Sequence, residues 1–306
     1  KNAYHGSTMA GASLGGMAFM HAQGGLPLPN IVHIDQPYHF GEGQGMDANE
    51  FGLERARQLE AKILELGEDN VAAFIAEPIQ GAGGVIIPPD SYWPEIQRIC
   101  DKYDILLVVD EVICGFGRTG EWFASQTYNI RPDLMCMAKG ITSGYLPLGG
   151  VMVRDHVAGV LTDADTEFAH GFTYSGHPAA CAVAIANIKE MQRLNIVSRV
   201  REEIAPYFAS RWAELAEHPL VGEARSKGLV GAIELVKDKA THARFAKEID
   251  VGTRCREHCF ASGVVLRAVG DSMICSPPLV ISKEEIDQLV DLAKLALDKT
   301  LADVQQ

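Results

Sequence analysis

In Ile105-Leu106-Leu107-Val108-Val109-Asp110-Glu111, five apolar residues run without interruption into two carboxylates. An apolar run with no polar alternation describes a strand covered on both faces, as in a parallel sheet. The same pattern recurs on either side. Ala72 to Ala76 leads into Glu77, Leu134 to Ala138 leads into Lys139, and Ile31 to Ile34 and Gly150 to Val153 are further candidate strands. Between these runs lie helical patterns at Leu53 to Leu66 and, after Pro88-Pro89, at Tyr92 to Tyr103. Strand and helix in alternation predict an α/β domain built on a mostly parallel sheet flanked by helices. Beyond residue 178 the character changes. Pro178 to Leu194 and Val197 to His218 read as long helices, followed by strand candidates Val230 to Val236 and Val264 to Arg267 and a closing amphipathic helix, Lys283 to Ala302. The expected organisation is a large domain over 1–190 and a smaller α+β domain over 191–306.

The chain of 306 residues is 47% hydrophobic, enough apolar material for a large core. Its formal net charge of −13 sets an acidic surface against phosphate backbones, so neither nucleic acid nor an anionic membrane is an expected partner. No apolar stretch reaches the roughly 20 residues that span a bilayer. The opening Lys1-Asn2-Ala3-Tyr4-His5-Gly6 does not read as a signal peptide. Seven scattered cysteines favour a reducing compartment, so a cytoplasmic location is expected. Cys255-Arg256-Glu257-His258-Cys259 lacks a second ligand pair and reads as a helix with two thiols, so no metal site is expected.

Three of the strand-like runs end on ionisable residues: Glu77, Asp110 with Glu111, and Lys139. In open α/β sheets ligands bind beyond the carboxyl ends of the strands, so these charges share one crevice if the strands are neighbours. A lysine at the mouth of an apolar strand is desolvated in part, which frees its amine as a nucleophile toward carbonyls. A carboxylate in the same crevice suits a protonated ring nitrogen. Together they are what pyridoxal phosphate requires, a Schiff-base lysine and an acidic partner for the pyridinium.

At these residues the sequence resembles the class III aminotransferases of the pyridoxal-phosphate fold type I family. The resemblance runs through essentially the whole chain. Its most specific stretch is Asp110 to Gly120, followed by Pro132-Asp133 and Ala138-Lys139-Gly140; Tyr4-His5-Gly6-Ser7-Thr8, Glu77-Pro78-Ile79-Gln80-Gly81 and Gly171 to Pro178 also match. The family pattern implies that Lys139 binds the cofactor aldehyde and then shuttles the proton, and that Asp110 faces the ring nitrogen. It implies that Val112 packs on one face of the pyridoxal 5'-phosphate ring and Tyr4 stacks on the other, with His5 lining the pocket and Glu77 behind them. Phe172 and Thr173 resemble the pair that the neighbouring subunit supplies, Thr173 holding the phosphate, which implies a homodimer or a dimer of dimers. Arg267 resembles the mobile arginine that clamps a substrate carboxylate.

Two departures narrow the substrate. Where the ornithine and 4-aminobutyrate branches carry a glutamate paired with that arginine, this chain has Ala82, and where they carry a glutamine near the cofactor it has Ile113. Both resemble the ω-amine:pyruvate branch, and the stretches Glu77 to Gly84 and Asp271 to Ser282 resemble putrescine- or polyamine-type pyruvate aminotransferases. The resemblance therefore implies transfer of an amino group from a putrescine-like amine to pyruvate, with β-alanine or taurine as alternative donors. Family members carry a segment ahead of the Tyr4 position with a glycine-serine turn that cradles the phosphate at a helix N-terminus. The large domain is accordingly expected to be N-terminally incomplete, and the 306-residue chain alone to hold the cofactor weakly.

Two motifs point elsewhere. Gly115-Phe116-Gly117-Arg118-Thr119-Gly120 fits the dinucleotide fingerprint of a nicotinamide-dependent dehydrogenase, but Asp110 to Cys114 separate it from the strand that should lead directly into it. Gly11-Ala12-Ser13-Leu14-Gly15 fits the hydrolase elbow without a preceding strand, and reads as tight helix packing.

Overall fold

The computed structural model describes residues 1–163 and 167–305. The chain divides into two units, Lys1–Ile79 with Pro88–Phe116 and Glu121–Asn195, and Gln80–Ile87 with Gly117–Gly120 and Ile196–Gln306.

In the first unit a sheet of order β1-β2-β3-β4 is made by β1 (Ala73–Ala76), β2 (Leu106–Asp110), β3 (Leu134–Met137) and β4 (Gly150–Val153). β1, β2 and β3 run parallel, and β4 is antiparallel to β3. The helices are α1 (Met9–Leu14), α2 (Ala18–His21), α3 (His39–Glu42), α4 (Ala48–Leu66), α5 (Tyr92–Tyr103), α6 (Ala124–Thr127), α7 (Asp155–Thr162) and α8 (Pro178–Arg193). α4 starts where the Asp47 carboxylate accepts the N–H groups of Asn49 and Glu50, and stops at Gly67 with φ +90°. α5 buries Trp93, Ile96, Ile99 and Cys100, a helical spacing, and ends at Asp104 in the left-handed region with its N–H on the Cys100 carbonyl. The two helices pack their apolar faces together with Leu107 and Val109 of β2, and that cluster is the core of the unit.

Two expectations are corrected here. Ile31 to Ile34 joins no ladder: among the described residues it pairs with no other strand, and Val32 is exposed. Coverage on both faces is not complete: on β2 Leu107 and Val109 bury one face fully while Leu106 and Val108 on the other are half-buried, and on β4 Val151, Met152 and Val153 are exposed.

The second unit carries β5 (Val221–Lys227), β6 (Val230–Leu235), β7 (Arg267–Val269) and β8 (Ser272–Cys275) in the antiparallel order β5-β6-β8-β7. Its helices are α9 (Ile196–Arg199), α10 (Ala205–Ala213), α11 (Val251–Ala261) and α12 (Lys283–Val304). The single helix expected from Val197 to His218 is a helical run interrupted by a π turn at Val200–Ile204 and finished by a 3-10 turn at Glu214–Glu217. Pro206, which has no N–H to give to the preceding turn, sits where the run changes register. β5 and β8 were not anticipated. The strand expected at Val264 to Arg267 begins only at Arg267, and Val265 is exposed. Trp212 and Phe208 stack at 5.3 Å in the core of this unit, the Trp212 indole donating to the Ala232 carbonyl. Among the described residues no helix is long and apolar enough to cross a membrane, and no cluster of ligating side chains could hold a metal ion.

Candidate active site

The register of the first sheet brings the three charged strand ends together. Ala76 pairs with Val109 and Asp110 pairs with Cys136, so Glu77 follows β1 level with the end of β2, and Lys139 lies three residues beyond the partner of Asp110. The strands are neighbours, as the crevice requires.

Asp110 is buried, and both its oxygens are engaged. Oδ2 lies 2.7 Å from His5 Nδ1, and Oδ1 accepts the Val112 N–H at 3.0 Å. An ionised carboxylate only accepts, so this contact puts the proton on Nδ1 of His5. The His5 side chain is 4% exposed, and its Nε2 is buried without a hydrogen-bond partner among the described residues. A buried polar atom left unmatched is costly and marks a place where a further group belongs. Beside this pair, burial first and the Asp110 charge second push the Cys136 thiol up. Glu77, also buried, accepts the backbone N–H of Tyr4 at 3.1 Å, which places the Tyr4-His5 dipeptide over the strand ends, and the Tyr4 hydroxyl meets that of Ser7. Glu111 points the other way. Its carboxylate accepts the N–H groups of Ala124 and Ser125, and burial raises its pKa against those bonds.

Lys139 opens a 3-10 turn, Lys139–Ile141, with φ +43°, a region that L-residues seldom adopt. Its side chain is exposed, so the desolvation expected at the strand mouth is not found; the turn lifts it beyond the end of β3 rather than into the sheet. Gly140 is required next to it, because a Cβ there would come within 2.9 Å of the Phe116 Cβ. Val112 is half-buried. Phe172 and Thr173 lie in an exposed segment, with Phe172 76% exposed beside the His170 ring. In the second unit, Arg267 starts β7 opposite Ile274 of β8 and is exposed, and Ala82 is buried in the turn that runs from Gly81 to Val85.

The residues near Asp110 fit the ring of pyridoxal phosphate: a buried carboxylate steadied by a histidine, and a lysine one strand away. They do not fit a dinucleotide, since the only helix shortly after Gly120 is α6, four residues long. Ser13 is fully buried in α1 with its hydroxyl on the Met9 carbonyl, which removes the hydrolase reading. The His5–Asp110 contact, between residues 105 apart, is the feature that motif reading could not pair. Asn187 of α8, which touches the Lys139 turn, had no motif to announce it.

The Aminotransferase class-III family model matches residues 1–297. A putrescine–pyruvate aminotransferase of Pseudomonas aeruginosa is 62% identical over 303 residues, which cover 99% of this chain and 66% of that protein. The mitochondrial gamma aminobutyrate transaminase 1 of Solanum lycopersicum is 42% identical over 99% of this chain and 60% of its own length. Among solved structures, an (S)-enantioselective omega-transaminase from Thermomicrobium roseum superposes with a TM-score of 0.94 at 42% identity, covering 98% of this chain and 67% of that one. The chain thus spans 66% and 60% of the lengths of these two curated relatives.

Proposed function

This chain belongs to the aminotransferase class III family, whose members depend on pyridoxal phosphate, and we propose that it moves an amino group from a putrescine-like ω-amine to pyruvate. The observation that carries the reading is Asp110, buried and held by His5, one parallel strand away from the Lys139 turn. The 62% identity to a putrescine–pyruvate aminotransferase supports the choice of donor and acceptor. Ala82 in place of a glutamate leaves Arg267 without a competing carboxylate from that position.

Asp110, Val112, Tyr4 and His5 would hold the cofactor ring, and Lys139 would anchor its aldehyde. When bound, pyridoxal phosphate supplies an electron sink that makes the proton beside the amine nitrogen removable. The chain's own residues do the rest. Lys139 Nζ would take that proton and deliver it to the cofactor's aldehyde-derived carbon within the same half-reaction, and would run the transfer in reverse with pyruvate. Asp110 stays oriented, because the Val112 N–H and the His5 ring fix its two oxygens. Tyr4, tethered by Glu77, closes one side against water. Arg267 pairs with the carboxylate of pyruvate and of the product alanine, and releases it when a diamine enters. Phe172 and Thr173 serve the site of a neighbouring copy of the chain, Thr173 toward the phosphate, in a homodimer or a dimer of dimers. The acidic surface and the free thiols support a cytoplasmic location.

The test is borohydride reduction of cofactor-loaded protein, with peptide mapping, alongside a donor panel of putrescine, 4-aminobutyrate, β-alanine and taurine against pyruvate. The pyridoxyl group is expected on Lys139, to be lost in Lys139→Ala, and putrescine is expected to lead the panel. Label elsewhere would overturn the site, and a lead by another donor would overturn the substrate.

A further inference from the structure

The turn that carries Lys139 holds two non-glycine residues in the left-handed region, Lys139 at φ +43° and Ser143 at φ +50°. Such residues persist only where their surroundings over-determine them. Phe116 closes one side of the turn, standing where a side chain at residue 140 would go. From inside, the Thr142 hydroxyl donates to the Leu146 carbonyl at 2.6 Å. The remaining restraint reaches in from α8. Asn187 Nδ2 donates to the carbonyls of Gly140 at 2.9 Å and Ile141 at 3.1 Å, while its Oδ1 accepts the Ser143 hydroxyl at 2.7 Å. Asn187 is half-buried, and its amide nitrogen and oxygen make their three shortest bonds to this one turn, with a longer contact from Nδ2 to Met191 Sδ at 3.8 Å.

We propose that Asn187 is a positioning residue for Lys139: its amide clamps the Gly140–Ser143 backbone and so holds the lysine in the strained conformation from which Nζ works. The inference rests on Lys139 being the cofactor-bearing amine. Proton transfer by a side chain tolerates little displacement, since loss of the productive geometry by an ångström lowers rates steeply. Without the clamp, Lys139 relaxes toward ordinary backbone angles, and its Cα–Cβ direction turns with it. The substrate-binding groups named above do not touch Asn187, so the loss falls on turnover and on cofactor attachment rather than on amine affinity.

The test uses the full chain in Asn187→Ala, the isosteric Asn187→Leu and Ser143→Ala. Hydrogen–deuterium exchange of residues 140–146 is read without cofactor, and the rate of borohydride-trappable attachment at Lys139 with it. Both Asn187 variants are expected to exchange about tenfold faster and attach cofactor about tenfold more slowly, the scale of two or three lost hydrogen bonds, with KM for the amine within about twofold. Ser143→Ala, which removes one bond and carries the proposal if the Asn187 variants do not fold, is expected to show about a threefold change in both rates. Wild-type rates in Asn187→Leu would assign the residue to helix packing and overturn the proposal, as would faster exchange with unchanged attachment, or Ser143→Ala with neither change. Lys139→Ala separates the two readings, because it abolishes trapping but leaves the exchange comparison in the cofactor-free chain intact.

Discussion

Replacing Glu234 by Gln tests how the second unit is held. Glu234 is fully buried on β6 and accepts from Arg225 at 2.6 Å, Ser272 at 2.7 Å and Arg244 at 2.9 Å. Arg225 in turn donates to the carbonyls of Gly84 and Val85 at 2.6 and 2.7 Å. Val85 is a β-branched residue at φ +52°, so the guanidinium stabilises a turn that would otherwise relax. Gln keeps the shape and removes the charge. Stranding a buried partner costs about 3–5 kcal/mol when both ions are enclosed. Here the Arg244 side chain is 34% exposed and can turn to water, and Arg225, 10% exposed, keeps the Glu223 carboxylate at 2.5 Å. Those two escapes reduce the expected loss to about 2–3 kcal/mol, which for a unit of this size lowers Tm by about 8–12 °C. The assay is calorimetry at pH 7 on the wild type, Glu234→Gln, Arg225→Met and the double variant. The double variant is expected to lose less than the sum of the singles, since each removes the same pair. A Glu234→Gln protein melting within about 2 °C of wild type, or strict additivity, would refute the reasoning.

Gly140→Ala forces a methyl against Phe116, which is itself pinned by a 2.6 Å bond from its N–H to the Trp122 carbonyl; a loss of about 1–3 kcal/mol in chemical denaturation is expected, with turnover falling further than stability. Arg267→Ala is expected to slow the pyruvate half-reaction at least about tenfold in single-turnover assays while sparing the putrescine half-reaction, because only the acid presents a carboxylate to the guanidinium. The Tyr207 hydroxyl and then the Arg211 guanidinium hold Asp287 below the usual carboxylate range. With the folded pKa depressed, that contribution is present above the unfolded value and disappears as pH falls through the folded one. Asp287→Asn should therefore flatten the acid limb of stability below about pH 4, measured by thermal melts across pH.

The part of the fold visible in the residues was the part that local physics decides. α5 begins and ends where Pro88-Pro89 and its 3.6-residue apolar spacing place it, and β2 and β6 are apolar enough to admit one reading. Ile31 to Ile34 looked the same and is not a strand, because strandhood depends on a neighbour, and among the described residues it pairs with no other strand. β5 escaped because Val221-Gly222-Glu223-Ala224-Arg225-Ser226-Lys227 is largely polar; its strand character comes from pairing with the buried β6. At the site, Lys139 and Asp110 were legible as charges ending apolar strands. His5 against Asp110 and Asn187 against the lysine turn were not, since tertiary contacts between residues 105 and 47 apart leave no local trace.

The segments that follow β1 and β2, Gln80–Ile87 and Gly117–Gly120, belong to the second unit although the first unit surrounds them in sequence. Neither half of the molecule is therefore a single span of polypeptide. Scission between Asn195 and Ile196 would not liberate an autonomous catalytic half: the amino-terminal product would keep two loops stripped of their β-sheet company, and the carboxy-terminal product would lack the pieces its arginines grip. Any attempt to express, swap or splice the halves has to carry those two short insertions across with their hosts.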